Sequence, residues 1–214
     1  MTTPPPTSDL VIAVPRGALM RETLDRLDAI GIDTAEVRSN DRKLLFADIG
    51  VVTMRPSDVP TYVEAGAADV GITGKDVLKE QPEREVYELL DLGYGRCEMV
   101  LATVDGPDPS VEALRRLGVM RVGTKYYKTA IAYFEETGRQ AEIVEVKGSV
   151  ELAPLTGLVD AIVDLTATGT TLRENHLVIR ESIYVSTARL IANPVSYKLK
   201  AAAIDAMLEK LRAP

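Results

Sequence analysis

The segment Asp160–Leu172, DAIVDLTATGTTL, joins a strand, a loop and the start of a helix within one short stretch. Its first part, DAIVDL, is rich in apolar and β-branched residues, as expected of a buried strand. The small and hydroxyl-bearing residues that follow predict a tight loop, and a helical pattern begins near Leu172. A strand that leads into a helix through a short polar loop is typical of α/β proteins with a parallel sheet.

The same alternation occurs along the rest of the chain. Strand candidates lie at Leu10–Val14, Val51–Met54 and Asp69–Ile72, and a turn and a helical pattern follow each of them. A strand-like run at Ile183–Leu190 precedes a last segment, 195–212, with a single apolar helix face. This order predicts an α/β fold with a largely parallel sheet.

The length of 214 residues fits one large domain or two small lobes. The composition turns to Asp, Gly and Pro near Thr103–Ser110, which indicates a boundary. We therefore expect a discontinuous first lobe, residues 1–102 and 183–214, and a second lobe, 103–182, that carries the loop. Two such lobes leave a cleft between them, where small ligands usually bind.

Composition excludes several classes of function. A formal net charge of −7 argues against a nucleic-acid binder held by a basic surface. With Cys97 as its one cysteine and His176 as its one histidine, the chain lacks the ligands of His/Cys zinc sites and most His-dependent triads. No apolar run is long enough for a membrane helix, and Met1–Asp9 does not have the pattern of a secretion signal. We expect a cytoplasmic protein.

The loop after DAIVDL has the chemistry of a phosphate site. Main-chain amides around Gly169, together with the hydroxyls of Thr168, Thr170 and Thr171, can surround an anion at the helix N-terminus. Asp164, at the end of the strand, can accept hydrogen bonds from the vicinal hydroxyls of a sugar. The segment thus suggests a ribose beside its own phosphate, although threonines that merely cap a helix explain the same pattern.

Cationic residues follow several of the other strands. Arg16, Arg42, Arg55 and Lys75 are the candidates, and an anionic protein needs such a local cluster to bind a polyanionic substrate. Guanidinium groups suit forked contacts to phosphate. Neither a GxxxxGK[ST] P-loop nor a GxGxxG fingerprint is present, so the two common nucleotide motifs are absent from the sequence.

At these residues the sequence resembles the short-form ATP phosphoribosyltransferases. The matching segments are VIAVPRGAL, RKLLF, RPSDVPTYVEAGAADVGITGKDVL, GTKYYKTAIAYF and GSVELAPLTGLVDAIVDLTATGTTL, which together span nearly the whole chain from Leu10. The resemblance implies a two-lobed fold like that of the periplasmic binding proteins (type II), with the substrates in the cleft. It also implies transfer of phosphoribosyl from phosphoribosyl pyrophosphate to N1 of the adenine of ATP, with Mg²⁺ present.

The resemblance assigns roles to individual residues. It places Arg42 at the departing pyrophosphate and Asp164 at the ribose hydroxyls, and it counts Arg16 with Arg42 as catalytic. The residues that hold the 5-phosphate are then Thr166, Ala167, Thr168, Gly169, Thr170 and Thr171. The residues on the nucleotide side are Arg16, Asp69, Thr73 and Lys75. It assigns no metal ligands. Where the family has a second cation after the first strand, this chain has Ala18.

The resemblance also implies partners. Long-form relatives carry a further domain that binds histidine, and this sequence ends at Pro214 without one. We therefore expect a homodimer and a hetero-octamer with a regulatory subunit similar to a histidyl-tRNA synthetase, and no binding to nucleic acid or membrane.

Two other hypotheses fit part of the pattern. The first is a non-catalytic two-lobed binding module or sensor for a small anionic metabolite, since it needs the same fold and the same loop. The second is a phosphoribosyltransferase of the Rossmann-like type, whose loop also follows an acidic strand end. Those enzymes typically place two acids before the loop, whereas here Leu165 follows Asp164.

Overall fold

The computed structural model describes residues 9–212, which form two α/β units. One unit runs to Gly95 and resumes at Thr187, and the other is Arg96–Ser186. The predicted two-lobed α/β fold is confirmed. The prediction of a largely parallel sheet is wrong, because each sheet also contains antiparallel pairs. The proline-rich start of the chain, residues 1–8, and residues 213–214 lie outside the described part.

The first unit contains a six-stranded sheet in the order β2-β3-β1-β4-β11-β5. The pairs of β1 with β3 and with β4 are parallel, and the other pairs are antiparallel. The strands are β1 (Ile12–Pro15), β2 (Leu45–Phe46), β3 (Val51–Met54), β4 (Val70–Gly74), β5 (Tyr87–Asp91) and β11 (Ala188–Ala192). The helices are α1 (Met20–Ala29), α2 (Ala35–Ser39), α3 (Val59–Glu64), α4 (Lys75–Glu80), α9 (Pro194–Leu199) and α10 (Ala201–Arg212).

The second unit contains a five-stranded sheet in the order β10-β6-β9-β7-β8. Here β7 is parallel to both β8 and β9, while β6 is antiparallel to β9 and to β10. The strands are β6 (Cys97–Val104), β7 (Met120–Thr124), β8 (Ala141–Glu145), β9 (Ala161–Thr166) and β10 (Leu177–Ser186). The helices are α5 (Pro109–Leu117), α6 (Tyr127–Glu136), α7 (Leu152–Leu155) and α8 (Thr170–Glu174).

Both sheets are covered on both faces, which explains why their central strands are almost entirely apolar. In the first unit, Ile12 and Val14 of β1 join one core and Ala13 joins the core on the opposite face. In the second unit, Val163 of β9 joins one core and Ile162 joins the other. Asp164 alternates with Val163 and therefore lies on the face of Ile162.

The division between the units lies at 95/96 and 186/187. The boundaries expected at 102/103 and 182/183 both fall inside long strands, β6 and β10. These strands pair with each other along their whole lengths, from Leu177 opposite Val104 to Ser186 opposite Cys97. A paired strand stays in one sheet, so the chain enters the second unit where β6 begins and leaves it where β10 ends.

The run Ile183–Leu190, predicted as one strand-like element, belongs to two strands in two sheets. β10 ends at Ser186 in the second unit, and β11 begins at Ala188 in the first. Thr187 lies between them, and its carbonyl oxygen accepts a hydrogen bond from the Lys75 amide. Both halves contain apolar residues because both strands are at least partly buried, so the hydrophobic pattern alone does not show the break.

A glycine in β4 allows α3 to pack closely on the first sheet. A Cβ atom added to Gly71 would lie 2.5 Å from Val59 Cγ1 and 2.8 Å from Val63 Cγ2, both on α3. Such distances are far inside van der Waals contact, and β-branched valines have little rotamer freedom in a helix.

We expect Gly71→Ala to lower the free energy of unfolding by about 1–3 kcal/mol, the range for overpacking a dense core. Gly148→Ala is the matched control, since an added Cβ at that exposed position meets no atom within 4 Å. Urea denaturation of both variants measures the difference. An equal effect of the two substitutions would show that the contact between α3 and β4 does not require a glycine.

Candidate active site

The 166–171 loop, which runs from the last residue of β9 into the start of α8, lines a cavity of about 170 Å³ in the second unit. Sites for drug-sized ligands begin at roughly 300 Å³, so this cavity fits one end of a ligand and not a whole nucleotide. Its lining residues are Glu151, Asp164, Leu165, Thr166, Ala167, Thr168, Thr170, Thr171 and Leu172. The strand end and the loop that the sequence singles out thus form one site, to which Glu151 is added.

The backbone of the 166–171 loop turns at Gly169, which has a left-handed conformation with φ +70°. Its amide donates to Thr166 Oγ1 at 2.8 Å, so the strand end holds the turn in place. The Thr170 amide has only a long contact, 3.4 Å, to Thr168 Oγ1. Among the described residues, the amides of Ala167, Thr168 and Thr171 have no acceptor at all. Unpaired amides that converge in a loop form a nest for an anion.

The helix that follows the loop is too short to add much through its dipole. α8 has only five residues, Thr170–Glu174, and the dipole of so short a helix sums few peptide units. The attraction for an anion must therefore come from the amides and hydroxyls of the loop itself and from nearby cations.

Arg173, which the sequence analysis did not select, lies in α8 and forms hydrogen bonds to the loop. Its Nη1 donates to the Thr168 carbonyl oxygen at 2.9 Å and its Nη2 donates to Thr170 Oγ1 at 3.0 Å. An added Cβ at Gly169 would lie 3.0 Å from the same Nη1. The guanidinium group therefore fixes the loop and brings a positive charge beside it. The only signal in the sequence is an arginine three residues after a loop threonine.

Asp164 is buried, with 7% of its surface exposed. Its Oδ1 accepts the Leu165 amide at 2.8 Å and lies 3.3 Å from Lys125 Nζ. Burial raises the pKa of Asp164 above its ordinary value, and the charge of Lys125 and the Leu165 amide oppose this effect. In the part of the chain that the structure describes, its Oδ2 has no hydrogen-bond partner. This oxygen is the one that is available to a ligand hydroxyl.

In the first unit, Arg16 and Arg42 are carried by segments that contact each other. Arg16 follows β1, and its Nη2 donates to the Asp41 carbonyl oxygen at 2.5 Å, next to Arg42 in the chain. Arg42 is exposed, and residues 9–212 provide no ion pair or hydrogen bond for its side chain. Arg16 and Arg42 therefore belong to two segments of the first unit that touch at Asp41.

Thr73 and Lys75 lie at the carboxyl end of β4 but are already engaged. The Thr73 side chain is fully buried and donates to the Pro56 carbonyl oxygen at 2.8 Å. Lys75 Nζ lies 2.5 Å from Glu88 Oε2. Lys75 can therefore contact an anion only by leaving Glu88, and Thr73 can contribute no more than its backbone.

Asp69, predicted on the nucleotide side, is not brought together with Thr73 and Lys75. It precedes β4 and so lies at the opposite, amino end of that strand. Its Oδ2 accepts the Val11 amide at 2.8 Å and Lys200 Nζ at 2.7 Å. Burial raises its pKa, but these hydrogen bonds outweigh burial and hold the pKa of Asp69 below its ordinary value. The carboxylate ties β1 and the start of α10 to β4.

Comparison with known proteins identifies the family. The sequence model described as ATP phosphoribosyltransferase matches residues 55–213. The chain belongs to the ATP phosphoribosyltransferase family. A relative of that name from Rubrobacter xylanophilus is 55% identical over 202 residues, which cover 93% of each chain. Another from Bacillus licheniformis is 45% identical and covers 95% of this chain and 94% of its own.

Solved structures agree with this assignment. An ATP phosphoribosyl transferase (HisG:HisZ) complex from Thermotoga maritima contains a chain that is 36% identical, with a TM-score of 0.78 and coverage of 95% of this chain and 96% of that one. The periplasmic sulphonate-binding protein SsuA from Escherichia coli, at 12% identity, has a TM-score of 0.59 and covers 94% of this chain and 70% of its own. The second likeness shows the type II binding-protein fold alone. Family and fold together decide against the Rossmann-like alternative.

Residues 9–212 contain neither a cluster of metal-binding side chains nor a helix that could span a membrane. No group of three or more His, Cys, Asp or Glu side chains there is arranged to hold a metal ion. None of the helices in this range combines the length and the apolar content needed to cross a bilayer.

We expect Asp69→Asn to lower the free energy of unfolding at pH 7 by about 1–3 kcal/mol, because it removes a charge-assisted hydrogen bond from a buried site. Since the folded-state pKa of Asp69 is lowered, this stability exists at neutral pH and is lost as the pH falls through that pKa. The two proteins should therefore converge in acid. Denaturation between pH 3 and 7, roughly spanning the carboxyl pKa range, measures this.

Asp205→Asn is the control for Asp69→Asn, since Asp205 is exposed and has only a long hydrogen bond, 3.3 Å, from the Tyr197 hydroxyl. We also expect the KM for ATP of the Asp69 variant to stay within about twofold of wild type, because the carboxylate is engaged elsewhere. A large rise in that KM at unchanged stability would return Asp69 to the nucleotide site.

Proposed function

We propose that this chain catalyses the reaction of its family: transfer of phosphoribosyl from phosphoribosyl pyrophosphate to N1 of the adenine of ATP. The bond from sugar C1 to the pyrophosphate oxygen breaks, a bond from C1 to N1 forms, and pyrophosphate leaves. In this family the step begins histidine biosynthesis. The observation that carries the proposal is one cavity that presents unpaired loop amides beside an unpaired carboxylate oxygen, Oδ2 of Asp164.

The cavity suits the ribose 5-phosphate end of the sugar substrate. The amides of the 166–171 loop donate to the phosphate oxygens, with the threonine hydroxyls as further donors. Oδ2 of Asp164 accepts from the neighbouring hydroxyls of the ribose. Because the loop and the carboxylate belong to one continuous strand and turn, their spacing is fixed before the ligand arrives, which reduces the entropic cost of binding.

The departing pyrophosphate requires positive charge, and we assign this role to Arg42 together with Arg16. Negative charge grows on the leaving group as the bond to C1 breaks, so preorganised guanidinium groups stabilise the transition state more than the ground state. Arg42 is suited to this because its side chain has no acidic partner among residues 9–212 that would have to be displaced. The positive charge of Arg16 is not balanced by a carboxylate there, because its partner at Asp41 is a neutral carbonyl oxygen.

On the nucleotide side we assign Arg16 and Lys75, with the backbone at Thr73. Adenine N1 is already a nucleophile in its neutral form, so the reaction needs no strong base. This agrees with the position of His176, which is exposed at the end of α8 and does not line the cavity. The contribution of the protein is then to position the two substrates and stabilise charge.

Enzymes of this family generally use a metal ion, and we propose Mg²⁺. The described residues do not form a resident site, because no cluster of three metal-binding side chains occurs among them. Mg²⁺ binds readily through phosphate oxygens and water with few protein ligands. We therefore treat it as part of the substrate, carried by the phosphates, and assign it no protein ligands.

We further propose that the protein is cytoplasmic and assembles with partners. The support is the Thermotoga maritima complex, whose printed name pairs HisG with HisZ and whose matched chain is 36% identical to this one. We infer a homodimer that joins a regulatory subunit similar to a histidyl-tRNA synthetase in a hetero-octamer. A reducing cytoplasm fits the single cysteine, Cys97.

We expect the protein with ATP, phosphoribosyl pyrophosphate and Mg²⁺, and with the regulatory partner added, to release pyrophosphate. Arg42→Ala should lower kcat by about 10- to 100-fold, as expected for one charged contact to a developing anion. Arg21→Ala, at an exposed arginine of α1, is the control and should leave kcat unchanged. Coupled detection of pyrophosphate gives both values. Tight binding of one substrate without turnover would instead favour the sensor hypothesis.

The loop has its own test in Gly169→Ala. A side chain at φ +70° costs about 1–3 kcal/mol of strain and crowds Arg173 Nη1, so the KM for phosphoribosyl pyrophosphate should rise on the order of 10-fold. Gly157→Ala is matched in strain, with φ +72° and no atom within 4 Å, but Gly157 does not line the cavity. If both variants raise this KM equally, the loop conformation has no direct part in binding.

A further inference from the structure

Lys125 lies next to Asp164 because of the register of two parallel strands. β7 pairs with β9 so that Thr124, the last residue of β7, is opposite Val163. The residues that follow them, Lys125 after the end of β7 and Asp164 within β9, therefore lie side by side. The distance from Lys125 Nζ to Asp164 Oδ1 is 3.3 Å.

Lys125 makes the two oxygens of the Asp164 carboxylate inequivalent, because it contacts only Oδ1. Lys125 and the Leu165 amide both approach Oδ1, while Oδ2 has no partner in the described part of the chain. A carboxylate held by two donors on one oxygen cannot rotate freely, so the other oxygen keeps a fixed direction. The lysine side chain is 44% exposed, and its Nζ lies 5.2 Å from the centroid of the Tyr126 ring.

Lys125 is also the cation that offsets the burial of Asp164. Burial raises the pKa of Asp164 most, Lys125 is the main opposing charge, and Glu151, which lines the same cavity, raises the pKa further. The neighbouring strand β6 adds no charge here, because Val100 is the residue opposite Asp164. Without Lys125 the carboxyl group would face Glu151 alone and take up a proton more readily.

We propose that Lys125 is a positioning residue of this site, whose ammonium group holds Oδ1 of Asp164 and so leaves Oδ2 to accept a hydroxyl of the sugar. This inference deepens the proposed function and rests on it for the identity of the sugar. Lys125 acts through Asp164 and not on the phosphate, so its loss should weaken recognition of the sugar more than that of a free anion.

Binding of small probes tests this without turnover. By calorimetry, Lys125→Met should weaken ribose 5-phosphate about 10-fold and inorganic phosphate less than about threefold, as expected for loss of one charge-assisted contact at the sugar end only. Lys125→Arg should restore most of the affinity because it restores the charge. Lys147→Met, at a lysine of the same unit that is 85% exposed, should change neither affinity.

The pH dependence gives a readout that a purely structural role would not move. Loss of Lys125 raises the pKa of Asp164, so the acidic limb of kcat/KM for phosphoribosyl pyrophosphate should shift to higher pH in Lys125→Met and return in Lys125→Arg. The KM for ATP should stay within about twofold of wild type. An unshifted limb, or equal losses for ribose 5-phosphate and phosphate, would overturn the proposal for Lys125.

The outcomes for Lys125 and for the proposed function are distinguishable. Wild type that binds ribose 5-phosphate but does not release pyrophosphate from the two substrates, even with the regulatory partner, would reject the reaction and leave the calorimetric comparison intact. Wild type that binds no ribose 5-phosphate would overturn both. Thermal unfolding of Lys125→Met, compared with Lys147→Met, verifies that the variant is folded during these measurements.

Discussion

The Asp164 carboxylate is buried near the end of β9, so it loses most of its contact with water. Neighbouring groups must supply the hydrogen bonds and the opposite charge that water would otherwise provide. The cost arises because its face of the sheet is covered by α7 and α8, with Ala153 and Leu172 in the core beneath them. The replacement comes from the Leu165 amide and from Lys125, both on Oδ1. A buried charge is tolerated only when it is paired in this way. The same pairing leaves one oxygen, Oδ2, directed and unsatisfied.

In the loop beyond Asp164, too, some polar groups form hydrogen bonds within the protein and others do not. The Gly169 amide and the Thr168 carbonyl oxygen are used to hold the turn, by Thr166 and Arg173 respectively. The amides of Ala167, Thr168 and Thr171 are left for a ligand, as far as the described residues show. Because some hydrogen bonds already hold the loop in shape, its remaining amides can stay exposed to a ligand without the loop rearranging. Binding then requires little reorganisation, which favours charge stabilisation in the reaction.

The sequence predicts this loop and Asp164 because their signal is local. Strand, small residues and helix start follow each other in one segment, so their order fixes their proximity. Lys125 is not predictable in the same way, since its proximity to Asp164 depends on the β7–β9 register between distant segments. For Asp69 the direction of the strand is decisive. An acid before a parallel strand lies at the amino edge of the sheet, away from residues that follow the strand.

The boundary between β10 and β11 is also not predictable from a local sequence pattern. The run Ile183–Leu190 has apolar residues on both sides of the break because β10 and β11 both pack against a core, and hydrophobicity does not report which sheet a strand joins. The pairing of β10 with β6 determines that break, and pairing is a property of two segments. Fold class therefore follows from the order of elements, while the division into units follows only from the observed hydrogen bonds.

The distribution of charge in the first unit indicates how an anionic protein could accept polyanionic substrates. Lys75 forms an ion pair with Glu88, which also accepts a hydrogen bond from Arg189 Nε at 2.8 Å. If an anion draws Lys75 away, Glu88 therefore remains paired with Arg189. Arg16 and Arg42, in contrast, have no carboxylate partner among the described residues. The charges of Arg16 and Arg42 are thus not balanced by a carboxylate, while that of Lys75 can move from Glu88 to a ligand. Since a net charge of −7 repels anions in general, a ligand with several charges in the right places gains more here than a single anion does.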